Sequence, residues 1–164
     1  MDDRSTVQAL IAKLVERLKE EFGDNLVSVV LYGSVARGDY RPDSDIDLLL
    51  VFGELPRAQF ARRDMVSRLE REAEREVPQR LEEGQYHVFT TVLKTREEAR
   101  HTAPYYLDMT TDAVILYDED HFFSGVLDHL RARMKELGSK KVYIGEKWYW
   151  GLKPDLKFGE IIEL

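Results

Sequence analysis

Apolar residues recur at helical spacing over Val7, Leu10, Ile11, Leu14, Val15, Leu18 and Phe22. That stripe predicts an amphipathic first helix of about five turns, opened by a capping-box pattern at Ser5 and Gln8. Gly23 and Asp24 break it. The run Leu26 to Tyr32 is β-branched and apolar, bounded by turn residues, and predicts a buried strand. Gly33-Ser34 ends that strand, and the polar stretch Arg37 to Ser44, with Gly38 and Pro42, predicts a loop. Ile46 to Phe52 then predicts a second buried strand.

Pro56 suits the first turn of another helix. Phe60, Val66, Leu69, Ala73 and Val77 keep helical period beyond it, and Arg68 can pair with Glu72 one turn on. The charges of this stretch are expected to form a solvated face. Pro78 and Gly84 bracket a turn, and Tyr86 to Leu93 is a third strand rich in β-formers. Thr95 with Glu98 is a second capping box ahead of a short helix. Another short helix, Tyr105 to Met109, leads to a fourth strand, Ala113 to Tyr117. Phe122 to Leu137 is the last helix, stopped by Gly138. Val142-Tyr143-Ile144 and Trp148-Tyr149-Trp150 flank Gly145-Glu146-Lys147 as a hairpin, followed by an extended tail. Helices and strands alternate, so the class is α/β (α+β): a mixed sheet flanked by helices, with a C-terminal helix and β-hairpin.

Composition narrows the function. The 164 residues are 43% hydrophobic and 34% charged, which is ordinary for a globular chain. No apolar run approaches the roughly 20 residues of a membrane span. The absence of cysteine removes thiolate metal sites, and with the acidic N-terminus the expectation is a cytoplasmic protein. A net charge of −7 argues against a general nucleic-acid binder.

The chemistry concentrates between Leu31 and Leu48. Asp45 and Asp47 stand two residues apart at the start of a strand, so their carboxylates leave the same face. Two converging carboxylates repel unless a cation lies between them. Magnesium suits the place, because it takes one or two carboxylates together with substrate phosphates. Gly33 lets the backbone approach a ligand closely, and Ser34 adds a hydroxyl donor. Arg37, one turn on, can reach a phosphate with its charged fork. A phosphate cradle facing a metal site suits phosphoryl transfer, where positioning and charge neutralisation do most of the work.

Gly33-Ser34, ten residues, then Asp45-Ile46-Asp47 resembles the signature of the DNA polymerase beta nucleotidyltransferase superfamily. The fuller segment, Gly33 to Asp39 with Asp43 to Asp47, is similar to its minimal nucleotidyltransferase branch. The resemblance implies that Gly33 and Ser34 hold nucleotide phosphates and that Asp45 and Asp47 bind metal. It also implies transfer of a nucleoside monophosphate, AMP from ATP or its counterpart from another nucleoside triphosphate, to a hydroxyl acceptor, with pyrophosphate released. The acceptor is a small molecule or a protein; members of the minimal branch act as antitoxins that modify a partner toxin. Residues 1–95 are then the core and 96–164 an extension packed on it, similar to one in archaeal relatives.

One feature departs from the family. The superfamily adds a third carboxylate from the next strand, and Gln85 to Leu93 contains none; His87 is its only strong base. Glu97, Glu98, Asp108 and Asp112 are off-strand alternatives, and a non-catalytic nucleotide-binding module is the rival reading. The aromatic hairpin is expected to pack on the core, with base stacking or an acceptor pocket as the alternative. His101, His121 and His129 show no ligand spacing with one another.

Overall fold

The apolar periodicities become twelve regular elements in the computed structural model, which describes residues 3–41, 44–77, 88–145 and 147–164. In chain order they are α1 (Asp3–Phe22), β1 (Leu26–Tyr32), α2 (Gly33–Arg37), β2 (Ile46–Phe52), α3 (Gln59–Glu76) and β3 (Phe89–Thr95). Then come α4 (Arg96–Arg100), α5 (Tyr106–Asp112), β4 (Val114–Asp118), α6 (Phe122–Leu137), β5 (Lys140–Ile144) and β6 (Lys147–Gly151).

Four strands form a mixed sheet in the order β3-β2-β1-β4. β1 runs antiparallel to both β2 and β4, whereas β2 and β3 are parallel. Parallel neighbours need a crossover, and α3 lies on it. The central strands are buried on both faces, which is why Leu26–Leu31 and Leu48–Phe52 read as continuous apolar runs rather than alternating ones. One face carries Leu26, Val29, Leu31, Leu48 and Leu50 against α1 and α3. The other carries Val27, Val30, Leu49 and Val51 against Tyr106, Met109, Phe123, Leu127 and Leu130 of α5 and α6. Each such buried side chain contributes about 1.5–3 kcal/mol relative to exposure.

Several boundaries differ from those read off the sequence. α1 starts at Asp3, so Ser5 lies inside its first turn rather than before it. Residues 33–37 form the short helix α2 rather than the start of a loop, closed by Gly38 at φ 81° with its N–H on the Ser34 and Val35 carbonyls. α3 begins at Gln59, because the backbone is still extended at Ala58 (φ −75°, ψ 123°); the Pro56 carbonyl accepts a bond from Arg62 Nε. α5 extends to Asp112, beyond Met109. The expected turn between Pro78 and Gly84, and His87, lie outside the described residues.

The charged face of α3 is only partly solvated. Arg68 pairs with Glu72 at 3.0 Å and with Glu21 of α1 at 2.9 Å, and Arg17 reaches Glu72 at 2.9 Å. Glu70, on the side turned toward β3, is buried and accepts from Arg63 and from the Thr91 hydroxyl. The Thr95–Glu98 capping box forms, and Glu98 also pairs with the buried Arg62 at 2.7 Å.

Asp118 links β4, β1 and α6. Its carboxylate accepts from the Ser28 hydroxyl of β1, from the backbone N–H groups of Phe123 and Ser124, and from the Ser124 hydroxyl. Those two N–H groups belong to the first turn of α6, where no intrahelical acceptor exists.

Candidate active site

The carboxylates sit at the beginning of β2, beside the end of β1. In the ladders Asp47 lies opposite Tyr32 of β1 and opposite Thr90 of β3. The strand alternation puts Asp47 on the same face as Leu49 and Val51, the face covered by α5 and α6. Asp45 precedes the strand, exposed, and its carboxylate accepts a hydrogen bond from the Thr90 hydroxyl at 3.2 Å.

Gly33 makes this corner possible. Its φ is +73°, and a Cβ built there would stand 2.2 Å from Asp47 Oδ2. Only a residue without a side chain admits the Asp47 carboxylate so close to the backbone at the start of α2. Burial pushes the Asp47 pKa up, and the neighbouring charge of Asp45 pushes it further; the positive charge of Arg37 acts in the opposite sense. Two like charges held together in a partly desolvated corner are the donor set a hard divalent cation fits. Among the described residues no group of three or more His, Cys, Asp or Glu side chains converges on such a site.

Arg37 ends α2, with Nε donating to Asp39 at 3.2 Å and its guanidinium 5.9 Å from the centre of the Trp148 ring. Tyr32 ends β1 opposite Asp47 in the ladder. Burial, then the charge of Asp47, raises its pKa to about 12, so its phenol stays protonated. Tyr105 stacks on it with centroids 5.8 Å apart.

Thus Gly33, Ser34, Arg37, Asp45 and Asp47 occupy one end of β1 and β2. Tyr32, Thr90, Tyr105 and Trp148 join them, Trp148 from the aromatic hairpin for which base stacking or an acceptor pocket is the alternative expectation. For Thr90 the signal was available, since a strand pairing with the one that carries Asp47 must set some side chain beside it. The others depend on distant packing. Of the off-strand acids, Asp108 accepts from the indole N–H groups of Trp148 and Trp150 at 3.2 and 3.0 Å, Asp112 lies 3.6 Å from Lys141, and Glu98 pairs with Arg62. Trp150 packs on the core as expected, but Trp148, Tyr149 and Tyr143 are exposed. A groove of 1340 Å³ between α1, α2 and β4, lined by Val7, Ile11, Val15, Val35, Tyr40 and Leu116, meets the carboxylate corner, among the described residues, through Arg37.

The profile of the nucleotidyltransferase domain matches residues 11–163. The chain belongs to the nucleotidyltransferase domain family. This nucleotidyltransferase is 24% identical over 149 residues to a Methanocaldococcus jannaschii protein provisionally named as a protein adenylyltransferase, covering 90% of this chain and 95% of that one. Among solved structures, it is similar to a provisionally named nucleotidyltransferase from Sulfolobus solfataricus, with 28% identity, a TM-score of 0.46, and 73% and 91% of the two chains covered. A toxin–antitoxin complex solved with AMP-PNP has a chain 15% identical, with a TM-score of 0.48, and 76% and 90% covered. No helix among the described residues is long and apolar enough to cross a membrane.

Proposed function

We propose that this nucleotidyltransferase transfers AMP from ATP to a hydroxyl of a protein acceptor, in the cytoplasm, and releases pyrophosphate. The acceptor oxygen forms a bond to the α-phosphorus as the bond from that phosphorus to the bridging oxygen breaks. The acceptor proton is released to solvent, and pyrophosphate leaves with the bridging oxygen. The observation that carries the reading is the interlock of Gly33 with Asp47, which holds a carboxylate 2.2 Å from where any side chain at position 33 would begin. A backbone so stripped beside a charged pair suits a phosphate chain entering with its cation.

Asp45 and Asp47 would hold Mg²⁺, which when bound neutralises phosphate charge and orients the triphosphate. Thr90 donates to Asp45 and steadies its carboxylate. Gly33 and Ser34 would contact the phosphates, and Arg37 would offset their charge. The protein acceptor is supported by the likeness, over nine-tenths of this chain, to a relative named for that activity. Residues 1–95 supply all five of these side chains and strands β1 to β3, and we take 96–164 as the extension that supports them.

Replacing both carboxylates tests the proposal. Asp45→Asn with Asp47→Asn is expected to abolish magnesium-dependent binding of ATP by calorimetry and to lower pyrophosphate release about 100-fold or more. Transfer and binding left intact by that double change would end the reading.

A further inference from the structure

Arg37 ends the five-residue helix α2, and among the described residues its ion pair is with Asp39, an exposed side chain just beyond that helix. The surface that does face the guanidinium comes from the far end of the chain. Trp148 of β6 places its ring centre 5.9 Å from the Arg37 guanidinium carbon. That indole is fixed by its edge: Nε1 donates to Asp108 of α5 at 3.2 Å. Lys141 of β5 stands 5.1 Å from the same ring centre and 3.7 Å from the Asp108 carboxylate.

We infer that Trp148 is a positioning residue for Arg37, its indole face holding the guanidinium at the mouth of the carboxylate corner, so that the C-terminal hairpin takes part in nucleotide binding. Three observations converge on it. Trp148 is 37% exposed, so its ring is not there to fill the core. Trp150, two residues on, has the same acceptor in Asp108 and packs on the core, and so already supplies an anchor for the hairpin. Arg37 ends the short helix that Gly33 opens beside the Asp47 carboxylate, so its charge stands at the site.

Chemistry explains why an indole serves. Guanidinium groups stack on aromatic faces while leaving their N–H edges free, and tryptophan is the best such platform. An arginine held on a ring loses less rotamer freedom when a phosphate arrives than one swinging in water. Asp39 takes only the Nε–H of Arg37, and the indole face adds its hold without drawing on the remaining N–H groups. The inference rests on Arg37 meeting the phosphates, and the experiment separates the two.

The measurement is calorimetric binding of the non-hydrolysable analogue α,β-methylene-ATP with magnesium. Trp148→Ala and Trp148→Leu are each expected to weaken binding about two- to fivefold, the worth of an exposed cation–π contact. Trp148→Phe, which keeps a ring face but loses the bond to Asp108, is expected to stay within about twofold of the parent. Arg37→Ala weakens binding by itself, and adding Trp148→Ala to it weakens binding no further. Tyr149→Ala, on the opposite face of the hairpin, binds like the parent. Should Trp148→Ala fail to fold in a thermal melt, the comparison of Leu with Phe carries the test.

A Trp148→Leu variant that binds like Trp148→Phe overturns the inference, as does a Trp148→Ala loss that persists undiminished in the Arg37→Ala background. In both cases Arg37 keeps its own role. An Arg37→Ala variant that binds like the parent overturns the phosphate role of Arg37 and the inference with it.

Discussion

Gly33 combines a positive φ with a steric limit set from outside its own segment, and the two act on different properties. Any L-residue at φ +73° carries a backbone penalty of about 1–2 kcal/mol. The clash with Asp47 Oδ2 adds to it and falls on the carboxylate, which must turn away. Gly33→Ala is therefore expected to lower the melting temperature by several degrees and to reduce nucleotidyl transfer to near background. A thermal melt beside a pyrophosphate assay checks both, and a variant that melts lower yet transfers normally would refute the steric part. At this scale the sequence is informative where the chemistry is local. Gly33, Ser34, Asp45 and Asp47 announce themselves by spacing, because two strands joined by a short connection must bring them together. Thr90, Tyr105 and Trp148 arrive through strand pairing and helix packing, which no spacing rule reports.

Among the elements, α6 owes its place to a residue outside it. His121, immediately before the helix, has φ 56° and caps nothing with its side chain; Asp118 supplies the acceptors instead. Burial raises the pKa of Asp118, but the hydrogen bonds from Ser124, Ser28 and the backbone N–H of Phe123 outweigh burial and leave it lowered. A carboxylate with a depressed folded pKa stabilises the fold above its unfolded value, near 3.8, and that contribution is lost as pH falls through the lower folded value. Asp118→Asn is thus expected to cost about 1–2 kcal/mol at pH 7, with the difference from the parent shrinking below about pH 4. Urea unfolding across that range measures it; a pH-independent difference would assign the effect to shape rather than charge. The boundaries of α6 were readable because Gly138 and the apolar period mark them. The Asp118 cap was not, because it joins residues whose contact depends on β4 lying beside β1.

Across the whole molecule, the sheet separates two cores, and each draws on a different part of the chain. α1 and α3 cover one face, whereas the other is covered almost wholly by residues beyond 95. β4 also lies beyond 95 and closes one side of β1. A fragment of residues 1–95 would expose Val27, Val30, Leu49 and Val51 together with the open edge of β1. It is expected to lack a cooperative thermal transition and to aggregate, with circular dichroism and light scattering as the readouts. Cooperative melting of that fragment would mean that the first core suffices. The helix–strand order made the class legible, but the pairing of β4 with β1 was not, since an edge strand can be added at either side of a sheet.

The interlock of Gly33 with Asp47 also bears on how such a chain can change over time. A side chain at position 33 cannot be accommodated while Asp47 stays where it is, and removing Asp47 leaves the stripped backbone with nothing to admit. Neither residue can change alone without loss, because each sets the space the other occupies. Were transfer abandoned, position 47 would be released first, whereas position 33 would still carry the cost of its positive φ.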